Sequence, residues 1–212
     1  MNSIRLLIAS DYEMTRDALR ALLARTQHFE IIGEAQRIAE TPGMVGDLHP
    51  DIILVEVSSP GSNALRSIAD IVNNANSSRV VLVTNIDDPS YVRATLALGV
   101  FGYVLKQSPT EQLVIAITKA TENHRFLDPL LSDGIAELFG RKGALQAPHL
   151  SHREQEVLKG IARGLSSRQL ALALSLSTKT VETYRSRLYQ KLHLHSRSEL
   201  VNYAIALGLL TA

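Results

Sequence analysis

The sequence predicts an α/β domain, a five-stranded doubly wound parallel sheet, followed by a small all-α domain of four helices built around a helix-turn-helix. Three observations predict it. Five short apolar runs recur through the first 121 residues with helical patterns between them. Net charge changes sign along the chain. Near the C-terminus a three-residue break, Ser175-Leu176-Ser177, separates two amphipathic patterns, the length of a helix-turn-helix turn.

The runs are 4–9 (IRLLIA), 30–35 (EIIGEA), 52–57 (IILVEV), 80–84 (VVLVT) and 102–105 (GYVL). Near-continuous apolar character is what a parallel strand buried on both faces requires. Between them, 14–26 places Ala18, Leu19, Leu22 and Leu23 on one helical stripe, and 91–98 and 109–121 behave similarly, with Pro109 suited to a first helical turn. Strand–helix alternation repeated five times gives helices on both faces of the sheet. Ligands of such sheets sit beyond the carboxyl ends of the strands. Ser10, Asp11, Glu56, Thr84 and Lys106 are therefore expected to converge. Asp87 and Asp88 read as loop and helix-start acids, and His28, His49 and His124 stand singly, so no metal role is assigned.

Residues 122–148 read as a connector. A short helical stretch over 130–139, with Leu131, Ile135 and Leu138 on one side, precedes GRKGALQAP, a linker composition. Residues 149–212 read as four helices. Ser151 with Glu154 has capping-box spacing, as do Ser196 and Glu199. The first helix, 152–163, is expected to bury Val157, Leu158 and Ile161. The second, opened by Ser166 or Ser167, buries Leu170, Leu174 and Ala171. The third, 178–192, is capped by Ser177 and buries Val181, Leu188 and Leu192. The rest of that helix offers Lys179, Thr180, Glu182, Thr183, Arg185, Ser186, Arg187, Gln190 and Lys191, a basic, hydrogen-bonding face suited to a major groove.

The whole chain of 212 residues carries a net charge of only +1. By segment, 1–121 holds 10 basic and 13 acidic residues (−3), 122–148 holds 3 and 4 (−1), and 149–212 holds 9 and 4 (+5). Near-neutrality thus combines an acidic part and a basic part, and the basic part is where nucleic acid would bind. There is no Cys, which excludes disulfides, thiolate metal sites and Cys nucleophiles. No apolar stretch is long enough for a membrane-spanning helix and the N-terminus lacks a secretory pattern, so a cytoplasmic location is expected.

SDYEMTRDALRALL, PDIILVEVSSPG and VVLVTNIDDPSYVRATLALGVFGYVLK, on five strand–helix units, resemble the receiver domain of bacterial response regulators over residues 3–121. The resemblance implies a pair of acids ending strand 1 that hold Mg²⁺, a phosphorylated Asp ending strand 3, and a Ser/Thr and a Lys ending strands 4 and 5 that bind the phosphoryl oxygens. Thr84 and Lys106 match the last two roles, Tyr103 the aromatic switch position, and Pro60 and Gly61 the residues after the acceptor loop. Ser10 stands in place of the first acid and Glu56 in place of the phosphoacceptor. Mg²⁺ needs its carboxylates, and Glu carries its oxygen about 1.5 Å further out, a damaging displacement where positioning supplies the catalysis. A receiver not activated by ordinary aspartyl phosphorylation is expected, with a degenerate Mg²⁺ site and no cofactor. Glu56 then either mimics a phosphoryl group by reaching Lys106 and Thr84, or forms a plain ion pair with Lys106. A protein or ligand modulator at the pocket is a third reading.

The patterns L-S-x-R-E-x-E-V-L at 150–158, G-x-S-x-x-x-x-A at 164–171, L-S-x-x-T-V-E-T-Y at 176–184 and K-L at 191–192 resemble the LuxR-type helix-turn-helix. Together the two resemblances imply the NarL/FixJ class of response regulators. The likeness implies base contacts at Glu182, Thr183 and Ser186, phosphate contacts near Lys179, Thr180, Arg187 and Lys191, and a dimer contact on the fourth helix, here Leu200, Val201, Tyr203 and Ala204, with core packing the alternative for some of these four. Several members carry Lys where Glu182 stands, and Glu can accept from cytosine N4. The expectation is a non-enzymatic regulator that binds double-stranded DNA as a homodimer. The competing class is a receiver-like interaction module under control of a partner, with DNA binding secondary; sequence preference in the presence of competitor DNA separates the two.

Overall fold

The computed structural model describes residues 3–26, 28–59, 62–131, 150–192, 194, 196–206 and 209. Pro60, Gly61 and the linker from 132 to 149 lie outside them, as does the expected end of the last helix at Gly208.

Strands β1 (Ile4–Ala9), β2 (Phe29–Ala35), β3 (Ile52–Val57), β4 (Arg79–Thr84) and β5 (Gly102–Leu105) alternate with helices α1 (Glu13–Leu23), α2 (Thr41–Leu48), α3 (Ser62–Asn74), α4 (Pro89–Leu98) and α5 (Thr110–Thr121). A further strand, β6 (Phe126–Leu127), completes a parallel sheet of order β2-β1-β3-β4-β5-β6. The five-strand expectation is therefore corrected to six. Two residues are too few to show a period, so β6 was hidden in the segment read as connector. It is held by Phe126 N–H donating to Phe101 O at 2.7 Å and Asp128 N–H donating to Tyr103 O at 2.9 Å. The buried Asp128 carboxylate then ends the ladder, accepting from Leu105 N–H and Leu130 N–H, both at 2.9 Å. Leu131 packs into the main core.

Strand alternation sorts the core into two layers. Leu7, Ala9, Ile53, Val55, Val80 and Leu82 face α2, α3 and α4. Leu6, Ile8, Ile52, Leu54, Val81 and Val83 face α1 and α5. On α1 the stripe is narrower than expected: Leu19 and Leu23 are buried, Leu22 is half-buried and Ala18 is exposed. Asp88 opens α4, its Oδ1 accepting from Tyr91 N–H at 3.0 Å.

The C-terminal helices are α6 (His152–Ala162), α7 (Ser167–Leu174), α8 (Thr178–Leu192) and α9 (Arg197–Ala206). Both halves of the Ser151–Glu154 capping box form, and Ser166 with Gln169 makes a second. Val157, Leu158, Ile161, Leu170, Ala171, Val181, Leu188 and Leu192 share one core. Gly160 lets α6 and α7 cross closely, since a Cβ there would lie 2.2 Å from Leu170 Cδ2. Helix α9 packs on α6 and also on α3 and α4 of the first domain, and Ala97 of α4 packs against the C-terminal core.

Candidate phosphate pocket and nucleic-acid interface

The first site lies at the carboxyl end of the sheet. Glu56 is the second-last residue of β3 and 1% exposed, so its charge is taken out of water and must be matched. Three donors do so. Ser10 Oγ donates to Glu56 Oε2 at 2.5 Å, Ser58 Oγ donates to Oε1 at 2.6 Å, and Lys106 Nζ donates to Oε1 at 2.5 Å. Lys106 also donates to Ser58 Oγ at 3.0 Å. Burial pushes the Glu56 carboxyl up, but the hydrogen bonds from Lys106, Ser10 and Ser58 outweigh it and hold the group below the ordinary carboxylate range.

Two expected pocket residues stand apart from this network. Thr84 is fully buried and its Oγ1 accepts from Ile86 N–H at 3.1 Å. It continues the Val80–Leu82 side of β4, whereas Glu56 continues the Ile52–Leu54 side of β3. Asp11 Oδ1 accepts from Ile38 N–H at 2.8 Å, fastening the start of α1 to the turn after β2. Tyr103 points inward, its hydroxyl donating to Ile86 O at 2.7 Å, and burial raises that phenol's pKa. A cavity of about 460 Å³ opens beside Glu56, lined among others by Asp11, Tyr12, Arg37, Ser58 and Ser67. Sequence reasoning missed two residues here. Ser58 sits two residues after Glu56, on the same side of an extended chain, a spacing that could have revealed it. Arg16 is buried on α1 and donates to Ser10 O at 2.8 Å, fixing the Ser10 turn; nothing local in the sequence signals it.

The second site is α8. Ser177 Oγ accepts from Thr180 N–H at 3.0 Å, so the cap sets where the helix begins. Val181, Leu188 and Leu192 are buried, and Lys179, Glu182, Thr183, Ser186, Arg187 and Gln190 are exposed. Thr180 is half-buried, and Thr183 Oγ1 donates back to Lys179 O at 3.0 Å. Lys179 and Arg187 make no ion pair among the described residues. Arg185 is half-buried and turned back, its Nη1 donating to Ser167 Oγ at 2.8 Å and to Glu182 Oε1 at 3.1 Å, while Ser167 Oγ donates to the same Glu182 oxygen. Lys191 Nζ donates to Glu154 Oε2 at 2.9 Å, and that oxygen also accepts from Ser151 N–H at 2.7 Å. Burial raises the Glu154 carboxyl, and the bonds from Lys191 and Ser151 bring it below its ordinary value.

Of the four residues expected at a dimer contact, Leu200, Tyr203 and Ala204 are buried in the C-terminal core. Val201 is half-buried.

A doubly wound parallel sheet with a buried acid–lysine pair at its carboxyl end, joined in one chain to a helix-turn-helix, is the architecture of a receiver coupled to a DNA-binding domain. The response regulator receiver domain matches residues 6–118, and the bacterial regulatory proteins of the LuxR family match residues 148–204. The chain belongs to the response regulators with a LuxR-type DNA-binding domain, and is a DNA-binding transcriptional regulator. It is 30% identical over 215 residues to the oxygen regulatory protein NreC of Staphylococcus carnosus, covering 98% of this chain and 99% of the relative. To NreC of Staphylococcus epidermidis it is 29% identical over 216 residues, with the same coverage. In fold it is similar to the RcsB–DNA complex, at 23% identity, TM-score 0.64 and coverage of 99% and 100%. It is likewise similar to Salmonella enterica serovar Typhimurium RcsB bound to promoter P1flhDC with the phosphomimetic BeF3⁻, at 23% identity, TM-score 0.67 and coverage of 97% and 100%.

Proposed function

We propose that this regulator works without aspartyl phosphorylation, Glu56 taking the acceptor position and holding the pocket closed through Lys106. The observation that carries the reading is that both Glu56 oxygens are already occupied, by Ser10 on one side and by Ser58 and Lys106 on the other. The donor set is poor for the family's Mg²⁺: the first acid is a serine whose hydroxyl is spent on Glu56, and one oxygen of Asp11 is spent on Ile38. Glu56 reaches Lys106 but not Thr84, which favours the ion pair over phosphoryl mimicry. The cavity beside it is where a protein or ligand modulator would act.

The units are 1–121, 122–148 and 149–212, with the start of the middle one serving the receiver's edge. DNA is held by Lys179, Thr180, Thr183, Ser186 and Arg187 with Glu182 among the bases, Arg185 supporting Glu182, and Lys191 bracing the domain through Glu154. The regulator binds as a homodimer in the cytoplasm. RcsB has been solved as two dimers on two parallel DNAs, which supports the dimer here. Leu200, Tyr203 and Ala204 serve the C-terminal core, so a dimer contact through α9 would use its remaining surface, half-buried Val201 included. The test is binding of the full chain to its selected site with and without Mg²⁺ and an acyl phosphate. Equal affinity and equal stoichiometry of two chains per site are expected. A phosphodonor-dependent gain, or one chain per site, contradicts the proposal.

A further inference from the structure

Glu182 sits in the first turns of the recognition helix, where an uncompensated carboxylate would be repelled by phosphates. In this structure it is compensated, and asymmetrically. Oxygen Oε1 takes both Ser167 Oγ and Arg185 Nη1, while no hydrogen bond to Oε2 is present among the described residues. Arg185 is held in turn by Ser167 at 2.8 Å, so serine, arginine and glutamate form a closed triangle between α7 and α8. The Glu182 side chain nonetheless remains 53% exposed, against 30% for Arg185.

We infer that Ser167 is a positioning residue for base recognition: with Arg185 it fixes one Glu182 oxygen and presents the other to the amino group of a cytosine in the major groove. This rests on the proposed use of α8 in the groove, and it names the base that use selects. The chemistry is one-sided. An ionised carboxylate only accepts, and in the major groove the exocyclic donors are cytosine N4 and adenine N6. Adenine's N6 is flanked by N7, an acceptor that faces a carboxylate unfavourably, so cytosine is the base selected. Arg185 supplies the positive charge that lets Glu182 approach phosphates, and anchoring at Ser167 removes rotamers that would otherwise be lost on binding. Ser167 lies fifteen residues from Glu182 on another helix, so its role comes from the turn geometry and from no local motif.

The experiment is selection of binding sites by the full chain from a randomised duplex library, followed by affinities for single-base variants. Wild type is expected to require cytosine at one position of each half-site, preferring it by about tenfold, the lower part of the range for a good base contact. Glu182→Gln should move that position toward adenine, which a glutamine amide matches on both edges. Ser167→Ala should flatten the cytosine preference several-fold while leaving affinity for scrambled DNA and the salt slope unchanged, and Ser167→Thr should restore the preference. A purely structural role for Ser167 would weaken all DNA alike and leave base preference intact. Specific binding whose base preference is unmoved by Glu182→Gln or Ser167→Ala overturns this inference alone. Absence of any specific binding overturns it together with the proposed use of α8.

Discussion

The receiver and the DNA-binding domain each centre a polar network on one glutamate, and the two networks share their chemistry. Glu56 is matched by two serines and a lysine, Glu182 by a serine and an arginine. What differs is burial. The Glu56 side chain is 0% exposed with both oxygens used, whereas Glu182 is half exposed with one oxygen to spare. A buried network tolerates no unsatisfied member, so the first leaves no Glu56 oxygen free. A surface network can be left open at one corner, so the second presents an acceptor. On the proposed readings, the same residue types give a lock in one domain and a reader in the other.

The largest losses are expected in the packing of the C-terminal domain. Leu188→Ala, under α8, is expected to cost about 2–5 kcal/mol, the range for a large-to-small change in a tight core, read as loss of the C-terminal domain's thermal transition. Gly160→Ala should cost about 1–3 kcal/mol by overpacking against Leu170, with the receiver unaffected. Lys106→Met strands Glu56 without its cation. The expected loss is about 2–3 kcal/mol in urea unfolding, below the value for a fully buried pair because Lys106 keeps 29% exposure. Glu182→Gln should leave unfolding within about 0.5 kcal/mol, as surface substitutions do. A large loss there and none at Lys106 would reverse the contrast between the domains.

The pH dependence follows from the direction of the Glu56 shift. Its folded-state pKa lies below the unfolded one, so its contribution to stability is full above the ordinary carboxylate range and is lost as pH falls through the folded pKa. Glu56→Gln should remove that part of the acid sensitivity, and titration of unfolding free energy between neutral pH and acid checks it. Glu154, also lowered, adds a separate acid-sensitive term in the C-terminal domain that Glu56→Gln leaves in place. The smallest effect expected is at Lys179 or Arg187: alanine at either should weaken binding to all DNA alike and reduce the salt slope by about one.

Much of this was legible in the sequence because the signals are local. The five apolar runs, the Ser151–Glu154 capping box and the buried stripe of α8 each lie within one element, and their spacing states their structure. The sixth strand was not legible, since two residues carry no period and its register comes from Phe101 and Tyr103 across the sheet. The Glu56–Lys106 pair was among the alternatives read from the chain, but Ser10 as its partner depends on how β1 and β3 end side by side. Thr84 was expected in the same pocket, yet its position on the other side of the strand alternation gives it to Ile86. Leu200, Tyr203 and Ala204 carry core packing while Val201 is half-buried, because α9 has an apolar face that sequence alone cannot divide between a partner and its own domain.

On the proposed reading Glu56 closes the receiver and takes no phosphoryl group. The most direct test is the intact mass of the full chain after incubation with Mg²⁺ and an acyl phosphate, beside the Glu56→Asp variant. An unchanged mass is expected for the wild-type chain. A stoichiometric gain of one phosphoryl group, mapped to Glu56, would contradict it.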